Sequence, residues 1–234
     1  MINAKPSINP ADQDTLAGAF RHIFGKMMQG VDGMLPARVV SFNGDRNAPR
    51  VSVQPLIAMI TTEGQRLSRA TIASLPVFQI GGGGHLISFN IKAGDLGWII
   101  ASDRDISTFL QTYSESQTNT KRRKKFSDAL FIPDVMRNYA IASEDNENAV
   151  FQSLDGTVKI ALWADYVKIT APHLGLNANP VTGAAFQIDS TDKAFIPPRM
   201  TTAQRNAIPS PIEGMVVWNT TTHALSTYNG TVWS

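Results

Sequence analysis

The last forty or so residues, AFIPPRMTTAQRNAIPSPIEGMVVWNTTTHALSTYNGTVWS, constrain this chain more than any other stretch, because they read as a unit too small to hold itself together. Thr201 or Thr202 is placed to cap a short helix over residues 203–208, which Pro209 and Pro211 end. Extended runs follow at 215–218 and 223–228, and Asn229-Gly230 before 231–233 is the strongest short hairpin signal a sequence offers. A piece of this size buries too little surface for stability without disulfides, a metal or association. The chain contains no cysteine. The missing burial must come from further copies or from a partner.

The whole chain has 234 residues, 43% of them hydrophobic and 17% charged, enough for one large or two to three small globular domains. A net charge of +2 argues against a dedicated nucleic-acid binder. The absence of cysteine removes disulfides and thiolate metal sites and fits assembly in a reducing cytoplasm. No apolar run approaches a membrane span. The opening MINAKPSINPADQD has no basic region followed by an apolar one, so no secretory signal is expected.

Along the chain, Leu16, Phe20, Ile23 and Met27 mark one face of a helix over about 12–28, with Asp12 or Asp14 as cap and Gly30 and Gly33 at its exit. Residues 1–32 then form a helical arm, packed on its own domain or docked on a partner. Short strands follow at 37–42, 50–60, 67–75, 77–80, 86–91 and 98–101, with a short helix at 103–111. Five or so strands with one closing helix suit a small Greek-key barrel such as an OB-fold, placed at residues 33–112. Residues 113–149, polar and carrying KRRKK at 121–125, read as a connector. In residues 150–180, Val158-Lys159-Ile160 recurs as Val167-Lys168-Ile169, with Ala-Leu-Trp-Ala-Asp-Tyr between the copies rather than a tight two-residue turn, and so without an obvious local hairpin partner. Three chains wound around one axis would close the open edges of such strands. Val158, Ile160, Leu162, Val167 and Ile169 are the candidate axis core. Residues 181–234 complete the chain as a small α+β tip.

Candidate chemistry is sparse. The GGGGH at 81–85 lacks the Lys-Ser/Thr of a phosphate loop and its strand–loop–helix setting, and reads as a barrel loop. Tyr113 and Phe126 flank the basic run without punctuating it, so it lacks the stacking platform of a single-strand binder and reads as a solvated loop or a polar contact between subunits. His22, His85, His173 and His223 are isolated from one another; only on a threefold axis would His173 or His223 become a set of three ligands. The acidic clusters Asp103/Asp105 and Glu144/Asp145/Glu147 sit in polar surroundings that would not raise a carboxylate pKa, and no serine lies in a Gly-x-Ser-x-Gly frame. No enzyme is expected, and no catalytic residue, cofactor or metal ligand is assigned.

ARVVSFNGDRNAPRVSVQPLI, IKAGDLGWIIASDRDISTFL and RRKKFSDALFIPDV, in that order, resemble the central membrane-puncturing spike of contractile-tailed bacteriophages, over about residues 30–165. PPRMTTAQRNAI and YNGTVW resemble a module at the C-terminal ends of phage tail proteins. The resemblance implies a homotrimer in the virion, at the tip of the tail baseplate. Its barrels would sit on hub proteins, with Leu16, Phe20, Ile23 and Met27 as the docking candidates, and its needle would be an intertwined triple-stranded β-helix aimed at the host outer membrane. Many members hold an iron at the apex through a His-x-His from each chain. This sequence has no His-x-His, and the terminal module occupies that end, bare or covered by a capping protein. Two rival readings stand beside the spike: a receptor-binding tail fibre or tailspike component, and an OB-type single-stranded nucleic-acid binder.

Overall fold

The structure, a computed structural model, describes residues 15–61 and 64–234. It is mostly β, and its internal contacts divide the chain into two units, Met1–Ala140 and Ile141–Ser234.

The first unit begins with helix α1 (Leu16–Gln29). Its cap is Thr15, whose side-chain oxygen accepts from the Gly18 N–H at 3.0 Å; Asp12 and Asp14, expected in that role, lie outside the described residues. The chain leaves the helix through Gly30 and is then clamped at Asp32. The Asp32 N–H donates to the Lys124 carbonyl at 2.9 Å, and its carboxylate accepts from the Phe126 N–H at 3.0 Å.

Five strands, β1 (Met34–Phe42), β2 (Arg50–Pro55), β5 (Ile72–Pro76), β8 (Leu96–Ser102) and β9 (Lys125–Pro133), form one antiparallel sheet in the order β5-β2-β1-β8-β9. Its two edges meet through a parallel bridge between Val77 and Phe131, where the Phe78 N–H donates to the Phe131 carbonyl at 2.7 Å. The sheet is thereby a nearly closed barrel. Alternation fills it: Val39, Val51, Val53, Leu75, Ile99 and Phe131 point inward and are buried. Irregular register at Val39/Ser41, Val51/Val53 and Ala101/Ser102 bends the strands, as closure of so small a barrel requires. Two hairpins decorate it, β3 (Met59–Ile60) with β4 (Arg66–Leu67), and β6 (Ile80–Gly82) with β7 (His85–Ile87). The glycine run is the turn of the second: Gly83 and Gly84 both have positive φ, as a tight two-residue hairpin of the I′ kind demands.

Two expectations are corrected here. The barrel extends to Pro133, since its fifth strand lies inside the segment read as a connector. The helix expected over 103–111 is one turn only, α2 (Phe109–Thr112).

The second unit opens with a 3₁₀ turn (Ser143–Asp145) and a meander of β10 (Ala149–Gln152), β11 (Lys159–Leu162) and β12 (Val167–Thr170). A parallel pair follows, β13 (Leu174–Leu176) with β14 (Phe186–Ile188). The tip holds β15 (Arg199–Met200), helix α3 (Thr202–Asn206), β16 (Val216–Asn219) and β17 (Ala224–Thr227). Thr201 caps α3 in a full capping box with Gln204, and Asn229-Gly230 sits in a turn closed by a Tyr228–Trp233 bridge.

Candidate functional site

The β10–β12 meander has two unlike faces. Its register sets Ile160 opposite Ile169 and Phe151, and Leu162 opposite Val167 and Ala149. Side chains alternate across a strand, so Phe151, Ile160, Leu162, Val167 and Ile169 share one face, and Val158 continues it just before β11. All of them are large, apolar and exposed within the chain. The five residues chosen from the sequence are thus brought together. Phe151 was missed, although AVFQ carries the same alternation. One expectation is overturned: β11 and β12 do have a local partner, each other. The four residues 163–166 between them suffice as a hairpin loop, closed by a 2.9 Å bond from the Trp163 N–H to the Tyr166 carbonyl and by stacked Trp163 and Tyr166 rings, 5.4 Å apart. The loop 153–157 is tied by Asp155, which accepts from the Ser153 hydroxyl at 2.6 Å and from the Thr157 N–H at 3.1 Å. Those bonds, that of Ser153 first, lower the Asp155 pKa.

The opposite face is covered by the 3₁₀ turn. Ala161 is fully buried, and Lys159 is buried against Asp145, to which its ammonium donates, with Glu144 at 3.3 Å. Lys168 reaches the same Glu144 oxygen at 3.0 Å. The bond to Asp145 raises the Lys159 pKa, and the Lys168 and Lys159 hydrogen bonds lower that of Glu144. A charged pair locks this side of the sheet while the apolar side stays uncovered.

The tip repeats the pattern on a smaller scale. Asn219 is fully buried, donating to the Thr202 hydroxyl at 2.9 Å and accepting from the Thr221 N–H at 2.9 Å. Arg205 bonds Ser226 at 2.9 Å and lies 5.6 Å from the Trp233 ring centre. Phe195, Ile196, Ile212, Leu225 and Val232 remain exposed.

All five residues of the basic run are exposed, as a solvated segment would have them, and three of them also brace the barrel. Arg122 forks onto Asp128 at 3.0 and 3.1 Å and meets Asp105 at 3.2 Å, Lys124 pairs with Asp103 at 2.7 Å, and Lys125 donates to the Gly30 carbonyl at 2.6 Å. Phe126 points into the core, away from any base. Hydrogen bonds from Ser107 and from the Thr120 hydroxyl, with burial opposing and Arg122 assisting, hold Asp105 far below the ordinary carboxylate range. Hydrogen bonding to Lys124 lowers Asp103.

Iron at an apex would need histidines free to converge. His173 Nδ1 meets the Ala184 carbonyl at 2.7 Å, a bond that leaves its Nε2 free, and His223 occupies a turn at φ 53°. No His-x-His is present, and among the described residues no three His, Cys, Asp or Glu side chains group to hold a metal within one chain. Without that motif, no residue of this chain is assigned to an iron point. On α1, Leu16, Phe20, Ile23 and Met27 lie exposed along one side.

A nearly closed barrel, a sheet locked on one face and open on the other, and a capped tip define a β-structural protein with apolar surfaces that one chain does not cover. Comparison with family models gives the particulars: residues 35–134 match the phage protein Gp138 N-terminal domain, and residues 174–234 match the phage tail like trimerisation region. The chain is a phage tail-associated structural protein with a trimerisation region, which bears out the resemblance to the phage spike family. No curated protein matches it. The apolar sheet face at 149–170 lies between the two matched regions.

Proposed function

We propose that the chain is the central spike of a phage tail baseplate, a homotrimer at the baseplate tip that is driven through the host outer membrane when the sheath contracts. The observation that carries this reading is the apolar face of β10–β12. Three such sheets, turned inward about one axis, bury Phe151, Ile160, Leu162, Val167 and Ile169 as a continuous core and leave the ion-paired faces outward. Stiffness under axial load then comes from a packed interior, reinforced by hydrogen bonds within each sheet. The barrel's strand order and parallel closure are those of an OB-type fold, which suits a compact base seated on hub proteins. The tip module takes the place of a metal-bound point, either bare or beneath a capping protein. The task is mechanical and needs no catalytic group.

Electron microscopy of virions carrying a density tag on the C-terminus tests the assignment. The spike reading requires a single trimer on the tail axis. Several peripheral copies would make the chain a fibre component instead. Salt-dependent binding of single-stranded DNA tests the remaining rival; Arg122 and Lys124 are paired with carboxylates and no aromatic ring punctuates the run, so only weak affinity is expected.

A further inference from the structure

Among the described residues, the apolar side of helix α1 stays uncovered. Its residues, LAGAFRHIFGKMMQ, divide into two consecutive heptads, LAGAFRH and IFGKMMQ, with a large apolar residue at the first and fifth place of each. Leu16, Phe20, Ile23 and Met27 therefore follow one another at steps of four, three and four, the spacing of a coiled-coil seam. All four are between 54% and 76% exposed. Phe24 and Met28, also exposed, widen the stripe to a breadth that suits three helices better than two. Gly18 and Gly25 recur at one heptad place, on the side away from the stripe. Arg21, His22 and Lys26 fall outside the seam, so copies packed along it set no cation against another in the core. A lone helix of this length is marginal in water and needs its apolar side covered. Its root is fixed: the clamp at Asp32 ties each helix to the barrel of its own chain.

Residues 174–234 match a trimerisation region, so three such helices are present in each assembly, and cyclic symmetry makes them parallel. We propose that the three α1 helices pack on one another as a short parallel coiled coil, with Leu16, Phe20, Ile23 and Met27 in its core. The occupant of the stripe is thus two further copies of the same helix, rather than a hub protein or a lipid surface. This inference rests on the trimeric reading.

The cysteine-free chain makes the test clean, because one introduced thiol reports one position. Native mass of the full-length variants is recorded first. A monomer would overturn the trimeric reading and this inference together. In trimers of Ile23→Cys, oxidation with diamide is expected to give disulfide-linked dimers, with one third of the chains left single, since three thiols on an axis form one bond. Arg21→Cys, outside the seam, is expected to give no dimer above the parent's background. A trimer in which Ile23→Cys fails to cross-link, or does no better than Arg21→Cys, overturns the coiled coil alone. A second arm sediments the protein with phosphatidylethanolamine/phosphatidylglycerol vesicles. Protein remaining in the supernatant supports the bundle, whereas capture that Ile23→Asp abolishes would give the stripe to a lipid surface and overturn it.

Discussion

Replacing Ile160 by aspartate distinguishes a sheet face that stays wet from one buried between copies. Within a single chain Ile160 is 42% exposed and sits between Phe151 and Ile169. If that face met only water, the substitution would shift stability by no more than about 0.5 kcal/mol, as surface changes do. If three copies close over it, each chain buries the remaining part of a side chain whose full burial is worth about 1.5–3 kcal/mol, so truncation costs about 1 kcal/mol per chain and about 3 kcal/mol per trimer. That alone weakens association by about a hundredfold. The carboxylate adds a desolvation cost of several kcal/mol per copy, with no cation to meet it, because Lys159 and Lys168 lie on the opposite face. Native mass spectrometry over a dilution series of parent, Ile160→Ala and Ile160→Asp reads the effect. The expected order of trimer persistence is parent, then alanine, then aspartate, with the region at 174–234 still supporting some trimer at high concentration. Aspartate trimers that dissociate in the parent's concentration range would refute the buried axis.

Three further outcomes are expected. Asp105 is held below its ordinary pKa, so its contribution to stability is present above the ordinary carboxylate value and is lost as pH falls through the lower folded one. Thermal unfolding between about pH 5 and pH 2 should therefore fall more steeply for the parent than for Asp105→Asn, and equal slopes would contradict the assignment. Gly97→Ala places a methyl group against the Ile132 carbonyl and the Phe131 ring, where β8 and β9 meet, and should unfold or reopen the barrel, as loss of amide-exchange protection in β9 would reveal. Thr201→Ala removes the cap of α3 and should cost about 1 kcal/mol in chemical denaturation of the tip.

The strands that alternate cleanly were legible in the sequence. Val51 and Val53 against Ser52 and Gln54, and Ile160 and Leu162 against Lys159 and Ala161, announce both strand and face. Strand β9 was not legible, for a physical reason. Its pairing with β8 jumps from Ala129 to Lys125, so Phe126 and Asp128 point inward in one phase and Ala129 and Phe131 in the other. A phase slip erases period two, and the preceding KRRKK disguises the rest as surface. Two charges of that run, Arg122 and Lys124, find their partners in Asp103, Asp105 and Asp128, a closeness that the folded barrel creates. The hairpin of β11 and β12 was hidden because its loop holds no Gly, Pro or Asn; stacked aromatic rings close it instead.

The local pairing of that meander has a kinetic consequence. Barrel closure must join Val77 to Phe131 across a long loop, whereas each pairing from Ala149 to Thr170 joins neighbouring strands and pays little loop entropy. Each chain can therefore finish its own sheet before meeting another. Assembly through those surfaces is then a collision of sheets already paired, second or higher order in protein. Its rate should therefore rise steeply with the concentration of folded chain.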